Sequence, residues 1–596
     1  MSSLVGRVLP AVRGLSIRRL AASGFVRAAL GPAIAFLVAL WAIVPTLAPS
    51  VGDWDTAEFQ TVGPVLGTAH PTGYPAYVIL GWIASIVFQP FGNPAFTMNL
   101  LQAFLAALAV AAVTALVAVL TGRRFLALAV GLTMLVMPTV EDATVPLPVA
   151  GGLNTTPVFM RLATHADPHM FHVALVAIIF GLLAMWDRRI HELERQDRGR
   201  ADRWLVAAAF VFAVAVANHS LALLLPPGIG LFVLLADWRI IRRPRSLLAC
   251  TAVLVGTLAV LFAELPIRAA MNAPLVYGHP DTLGGFAYVV LAEQFRGSLI
   301  DPLGGLGVKT ADIVELLAAW LGPLIYLAIV GIATSLIRRP RFLVLSGLTF
   351  LITCYFSVSY ANADIERYFL VPILIAFTWM GLGLADLLAG AAELSALVAD
   401  RSVAEPDEEA DDAELSEDGE ENGLEPDGHR TGRFGFALAI GQAVLALALL
   451  APIPATIATR QQDAETSSGG VSEALQTDDF AWMQTMLLPA DQGGLPKNSV
   501  LVSWWSRSTT LWYGQRVLHL RPDIYIVDDR TRLDDNLGSV QDVFNKFLDK
   551  QPVFVIRMDW GDDGMIALEQ QFDIRSHLLG DGSVQVFRVI GRKGNQ

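Results

Sequence analysis

Apolar runs long enough to cross a bilayer recur along most of this chain, and they constrain its fold more than any other feature. A helical span needs roughly 20 apolar residues, and inside lipid the backbone must bond to itself, which leaves helices as the solution for such runs. Candidate spans lie at 28–48, 98–120, 125–141, 168–187, 203–220, 221–238, 246–265, 312–336, 342–360, 368–390 and 434–458. Of the 596 residues 54% are hydrophobic and only 16% charged, and the mean hydropathy is +0.52. The expected fold is therefore mainly α, a polytopic membrane protein of about eleven transmembrane helices.

Basic residues orient the spans. Arg7, Arg13, Arg18, Arg19 and Arg27 hold the N-terminus in the cytoplasm, and the first run reads as a retained signal anchor. The run 76–90 is short. If it lies along the outer interface rather than crossing, Arg123 and Arg124 face the cytoplasm, and so do all the later clusters at Arg188–Arg203, Arg239–Arg245 and Arg338–Arg341. That single choice makes the whole chain obey the positive-inside rule. The outer loops are then 49–97, 142–167, 266–311 and 361–367.

The net charge of −13 owes much to one segment, 396–430, whose low-complexity acidic sequence predicts a disordered cytoplasmic linker. It implies no basic partner, and no nucleic-acid footprint is present. Only two cysteines occur, Cys250 and Cys354, both within apolar runs, so no disulfide framework or cysteine-based metal site is available. The last span delivers 470–596 to the outer side. There, strand-like runs Ser499–Trp505, Ile524–Val527, Pro552–Met558 and Val584–Ile590 alternate with helical stretches such as 538–549, predicting a small α/β domain.

The loop after the first span carries Asp53, Asp55, Glu58 and His70 with no lysine or arginine from Val51 to Pro75. Carboxylates beside a bilayer are costly to hold unless used, although a solvated acidic loop is the plainer reading. Asp55 and Glu58 share a face on a helical turn. His70-Pro71-Thr72-Gly73-Tyr74-Pro75 is a rigid turn-rich segment that would aim an imidazole and a phenol. Elsewhere the outer loops offer Arg161, His165, Asp167, His169, His172, Asn218, His219, Arg268, Asp281, Arg296, Asp364 and Arg367. Acids beside arginines at a membrane surface suit a lipid-tailed phosphate substrate. Arginine grips phosphate bidentately and a carboxylate can deprotonate a hydroxyl. Arg268 and Arg296 are the candidates for the phosphate. His219 sits where an ionisable residue is a functional candidate by default. The group His165, Asp167, His169 and His172 matches no compact zinc spacing, and Pro168 splits it; a divalent metal stays open, and no other cofactor is implied.

Asp55-Thr-Ala-Glu58-Phe59 with Ala69-His70-Pro71-Thr-Gly73-Tyr74-Pro75 resembles the D-x-G-E-F … H-P-P-G-Y-P signature of a family long catalogued only as a domain of unknown function. That family includes a vertebrate multi-pass protein O-mannosyltransferase of the GT-C class. Ala217-Asn218-His219, Leu265-Pro266-Ile267-Arg268 with Gly278-His279-Pro280-Asp281-Thr282, and Asn362-Ala-Asp364 before Arg367-Tyr368 agree with it. The likeness spans roughly 28–390, with a weaker echo at Leu511–Gln515 and Arg521–Asp523. Ala57 replaces the usual Gly, Thr72 the usual Pro and Asp167 the usual Glu, and the last change shortens a carboxylate.

The resemblance implies an integral membrane glycosyltransferase working at the outer face. It would move a sugar such as mannose from a polyprenyl-phosphate donor to an acceptor hydroxyl on protein or glycan, with inversion. Asp55 is the implied general base, with Asp53 its rival. Glu58 and His70 would position donor or acceptor, and His219, Arg268 and Arg296 would contact phosphate or sugar. Tyr74, Asp167, Asn218, Asp281 and Arg367, on the matching motifs, complete the expected substrate-binding set. The domains expected are a basic N-terminus 1–27, a GT-C-like catalytic domain 28–395, the acidic linker 396–433, the last helix 434–458 and the extracytoplasmic domain 470–596. The arginine-rich, alanine- and leucine-rich composition points to a bacterial inner membrane. A transporter or flippase for a lipid-linked sugar is the alternative. The polar residues gather in outer loops rather than on broken helices at mid-membrane, which weighs against it.

Overall fold

The computed structural model describes residues 24–136, 158–194, 196–361, 365–403, 428–466, 478–557 and 563–593. Asp364 and most of the acidic linker lie outside them. Among the described residues, eight helices are long and apolar enough to cross a membrane, or nine if one sharply bent pair counts as a span. The chain is thus a multi-pass membrane protein.

Three of the eleven expected spans account for the difference. The helix Arg124–Val136 is only 13 residues long within the described chain. Over 221–238 a 3₁₀ turn at Ser220–Leu224 precedes a 12-residue helix, Pro226–Asp237, because the Pro226-Pro227 pair lacks the N–H groups needed to continue a helix from before it. Over 312–336, Gly322 (φ 50°) and Pro323 break the run into Leu306–Leu321 and Leu324–Arg338, bent by 116°. The short run after His70 forms its own 13-residue helix, Pro75–Val87. At 1.5 Å per residue this is about 20 Å long, against a hydrocarbon core of about 30 Å.

Burial sorts the spans. The window of Ile365–Leu394 is 100% buried, whereas that of Pro244–Ala270 is 0% buried within the protein. The first therefore forms the centre of the bundle, with Pro94–Thr121 and His169–Glu192 packed close by. Small residues permit the tightest crossing. A Cβ added at Gly331 would stand 1.8 Å from the Trp379 carbonyl oxygen, and one at Gly383 2.5 Å from that of Leu327. Backbone therefore meets backbone there, the arrangement that membrane helices use when lipid supplies no hydrophobic drive.

At the C-terminus a five-stranded sheet has the order β2-β1-β3-β5-β4, from β1 (Val500–Val502), β2 (Tyr525–Val527), β3 (Val553–Val555), β4 (Phe572–Leu579) and β5 (Val584–Arg592). β2, β1 and β3 are parallel, and β4 and β5 form an antiparallel hairpin. Val500, Val502, Val527, Val553, Val555, Val543, Phe544 and Phe572 make a second apolar core. The helix Val540–Phe547 starts at a capping box between Ser539 and Asp542. β4 was not among the expected strands. Its Phe572, Ile574 and Leu578 do alternate with Asp573, Arg575 and His577, but its middle residues are half-buried or exposed.

The domain is seated on the bundle, not merely tethered to it. Thr510 donates to the Gly52 carbonyl at 2.8 Å, and the Ala95 N–H donates to the Tyr513 hydroxyl at 3.2 Å.

Gly331→Val should lower the thermal melting temperature in detergent, since overpacking a filled contact costs about 1–3 kcal/mol. Gly347→Val, where an added Cβ meets nothing within 4 Å, serves as the control. Equal melting of the two variants would remove the close crossing as a determinant of stability.

Candidate active site

The helix Trp54–Val65 begins just after the first span and is held in place by polar clamps. The Gly52 N–H donates to Gln60 Oε1 at 2.9 Å, and Gln60 Nε2 donates to Asn99 Oδ1 at 2.9 Å. Asp53 occupies the N-cap position with extended backbone. Asp55, in the first turn, opens onto a cavity of about 710 Å³. Asp53 does not line it.

Two donors hold the Asp55 carboxylate, one on each oxygen. Trp505 Nε1, from the C-terminal domain, donates to Oδ1 at 3.0 Å, and Arg367 Nη2 donates to Oδ2 at 3.0 Å. Arg367 Nη1 reaches Asp167 Oδ2 at 3.1 Å, and Asp167 Oδ1 accepts from the ring and the backbone N–H of His169, each at 2.7 Å. One guanidinium thus bridges two carboxylates contributed by distant parts of the chain.

Glu58 lies one helical turn on from Asp55, but it is buried behind the cavity wall rather than lining it. Its Oε2 sits 2.5 Å from His70 Nδ1, and its Oε1 accepts the His70 backbone N–H at 2.8 Å. His70 Nε2 in turn meets the Tyr74 hydroxyl at 3.0 Å. A tight turn from the His70 carbonyl to the Gly73 N–H (2.7 Å) allows this, with Gly73 and Tyr74 in the left-handed region (φ 80° and 49°). Pro75 then opens the next helix at its first position, where the missing N–H costs nothing. The turn therefore presents both the imidazole and the phenol to the cavity.

The wall continues from Tyr74 through His219, whose ring packs edge-on to it at 5.3 Å, to His169 and Tyr368; Tyr277, Gln294, Phe295 and Tyr360 also line it. His219 Nδ1 accepts the Leu221 N–H at 3.1 Å, so its proton sits on Nε2, a buried atom with no protein partner. That N–H is available to a ligand. The cavity thus combines aromatic faces with a few convergent polar groups, as small-molecule sites do.

The electrostatics follow from these contacts. Burial alone would raise the Asp55 carboxyl, but His70, Arg367 and the bonds from Trp505 and Arg367 outweigh it and hold it below the ordinary carboxylate range. Burial would lower the His70 imidazole, but Glu58 and Asp55 outweigh it and raise it above its usual value. Asp167 is also held low, with His169 and Arg367 overcoming its burial.

The remaining expected residues lie outside the cavity. Asn218 is buried, and its amide donates to the Pro168 carbonyl at 3.0 Å. Arg268 donates to the carbonyls of Leu66 and Val65 at 2.7 and 3.1 Å, tying down the end of the Trp54–Val65 helix. Arg296 is exposed, 3.4 Å from Glu293, and Asp281 is exposed on its turn. Neither arginine expected to meet phosphate lines the cavity; Arg367 does. The sequence reading missed Trp505, Tyr277, Gln294 and Phe295. Trp505 stands just before the weak tail motif at Leu511–Gln515, the only local signal near it. Among the described residues, no group of three or more His, Cys, Asp or Glu is arranged to hold a metal ion.

A helical membrane bundle carrying this cavity beneath a small α/β domain defines a polytopic protein of GT-C fold. Structures of ArnT from Cupriavidus metallidurans share it. The apo form aligns with a TM-score of 0.53 at 16% identity, covering 97% of this chain and 100% of that one. The form bound to undecaprenyl phosphate aligns with a TM-score of 0.52 at 15% identity, covering 96% and 100%. At such identity the likeness establishes fold. The family enters through residues 55–242, which match the family model described as "Protein O-mannosyl-transferase TMEM260 N-terminal domain". The match bears out the resemblance drawn from the motifs, and the chain is an integral membrane glycosyltransferase.

The raised His70 pKa carries a signed stability prediction. Its contribution is complete below the unfolded imidazole value of about 6.5 and is lost as pH rises through the higher folded value. Wild-type melting temperature in detergent should therefore fall as the solution moves from weakly acidic to alkaline. His70→Gln should flatten that slope. Parallel slopes for the two proteins would show that the Glu58–His70 pair does not titrate with folding.

Proposed function

We propose that this glycosyltransferase moves a sugar, mannose by the family description, from a polyprenyl-phosphate donor to an acceptor hydroxyl, and that the acceptor is a protein serine or threonine. The reaction takes place at the outer face of a bacterial cytoplasmic membrane, with the N-terminus inside, as the arginine distribution implies. The observation that carries this reading is the Asp55–Arg367 pair on the wall of the cavity. A proton acceptor and a phosphate-binding fork lie within one ion pair of each other. The ArnT structure bound to undecaprenyl phosphate supports the donor class.

In this mechanism Asp55 is the general base. It takes the proton of the acceptor hydroxyl as the oxygen attacks the anomeric carbon. The bond from that carbon to the phosphate oxygen breaks, its electron pair stays on the phosphate, and the configuration inverts. Arg367 stabilises the charge that gathers on the leaving phosphate, where fixed donors in a water-poor site act most strongly. A low-pKa carboxylate is ionised and ready at neutral pH. Once a donor phosphate draws Arg367 toward itself, Asp55 loses a positive neighbour and becomes more basic when the proton has to move. Asp167 and His169 hold the other side of the guanidinium. His219 Nε2–H and Tyr74 serve as hydrogen-bond donors to sugar or phosphate, and Glu58 fixes His70.

Sugar release from a radiolabelled polyprenyl-phosphate-mannose by purified protein tests this directly. Asp55→Asn should lower turnover by about 10²–10⁴-fold, the usual worth of a general base. Asp53→Asn should have a far smaller effect. Reversal of that order would make Asp53 the base, and inactivity of the wild type with every polyprenyl-phosphate sugar would overturn the donor class.

Trp505→Phe separates positioning from packing. The ring survives but the bond to Asp55 is lost, so the carboxyl pKa should rise. The acidic limb of the kcat–pH profile should move to higher pH, with KM for the donor little changed. An unshifted limb would leave Trp505 as wall only.

A further inference from the structure

A second cavity, of about 340 Å³, lies between the C-terminal domain and the loop 274–279. Its wall includes Trp512, Arg516, Ile526, Arg530, Thr531 and Asp534. It adjoins the first cavity through a shared partition of aromatic rings. Tyr277 lines the first cavity, and the Arg530 guanidinium, which lines the second, sits 4.9 Å from the Tyr277 ring centre and 5.1 Å from that of Trp512. Trp505 on one side packs edge-on to Trp512 on the other at 5.7 Å.

Two observations narrow the occupant. The first is backbone direction. β2 is an edge of the sheet, and its ladder bonds to β1 run through Tyr525 (its N–H to the Ser499 carbonyl) and Val527 (its carbonyl to the Ser503 N–H), each at 2.9 Å. Strand residues alternate, so the N–H and carbonyl of Ile526, which lines the cavity, face away from β1. The neighbouring Ile524 carbonyl faces the same way and is already taken by Gln515 at 2.9 Å. The second is charge. Asp523, Asp534 and Asp535 stand against Arg516 and Arg530, so the lining favours neither a phosphate nor a cation. A near-neutral polar groove along a strand edge fits an uncharged chain of alternating donors and acceptors.

We infer that this groove is an acceptor subsite that holds an extended stretch of polypeptide beside the hydroxyl-bearing residue, bonding to the Ile526 edge of β2 in the manner of an added strand. The inference rests on the transfer reading of the first cavity, whose partition it shares. At about 3.3 Å per residue, a few residues of extended chain reach from one cavity to the other. The C-terminal domain thereby acts in acceptor choice as well as in holding Asp55.

The test uses the full chain in detergent with two acceptors, a single blocked threonine and a nine-residue peptide with one central threonine and a photoreactive diazirine. In the wild type the peptide should be preferred by about tenfold or more in kcat/KM. Thr531→Trp, which fills the groove, should lower that peptide-to-threonine ratio by about tenfold. Because that variant could also misfold, the wild type alone gives a second readout, and its photolabel should fall within 274–279 or 522–535. A ratio unchanged by Thr531→Trp, or a label confined to other segments, overturns the subsite. Displacement of the label by a free oligosaccharide but not by unlabelled peptide assigns the groove to a glycan and overturns it too. Failure of the donor assay leaves the photolabel able to decide the groove, so the two ideas fall separately.

Discussion

The guanidinium of Arg367 is the contact on which the site depends. It is nine-tenths buried and binds Asp55 with one nitrogen and Asp167 with another. Two carboxylates and one guanidinium taken from water would be costly without further donors. Trp505 supplies one to Asp55, and His169 supplies two to Asp167. The cluster joins the loop helix after the first span, the entry to the His169 helix, the turn before the central helix and the C-terminal domain. Loss of Arg367 alone would leave the buried Asp167 carboxylate and the partly exposed Asp55 carboxylate each with one positive neighbour fewer.

That dependence explains why the domain at the C-terminus is seated rather than tethered. Trp505 and Thr510 both come from the helix Trp505–Trp512, whose start and middle contact the segment Gly52–Asp55. The sheet behind it keeps that helix in register with the bundle. The cavity wall is therefore completed by a residue 450 positions from Asp55, and only when both ends of the chain have folded together.

The legibility of all this from sequence followed the range of the interactions. Apolar runs are local, so eight of the expected spans reappear as long helices; two of the others differ where Pro226-Pro227 or Gly322-Pro323 interrupts a run, and the third is the helix Arg124–Val136, 13 residues long within the described chain. The turn His70–Pro75 was readable because its proline and glycine act on their own backbone. The choice among arginines was not readable. Arg268 and Arg367 look alike in a loop inventory, yet Arg268 is consumed by the two carbonyls at the end of the Trp54–Val65 helix, and only the fold brings Arg367 to Asp55. Trp505 had no signal at all beyond a nearby tail motif.

Placing the proposed base and the proposed phosphate fork in one ion pair has a consequence for the order of events in the proposed transfer. While Arg367 holds Asp55, the carboxylate is ionised but weakly basic, and a hydroxyl entering the cavity meets a poor proton acceptor. An arriving phosphate competes for the same guanidinium, and its charge makes it the stronger partner. Donor binding and activation of the base are then two outcomes of a single exchange of partners. Because Asp167 keeps its own bond to Arg367, the exchange is a shift of one nitrogen rather than the release of a buried charge. Such coupling favours loading of the donor before the acceptor is deprotonated.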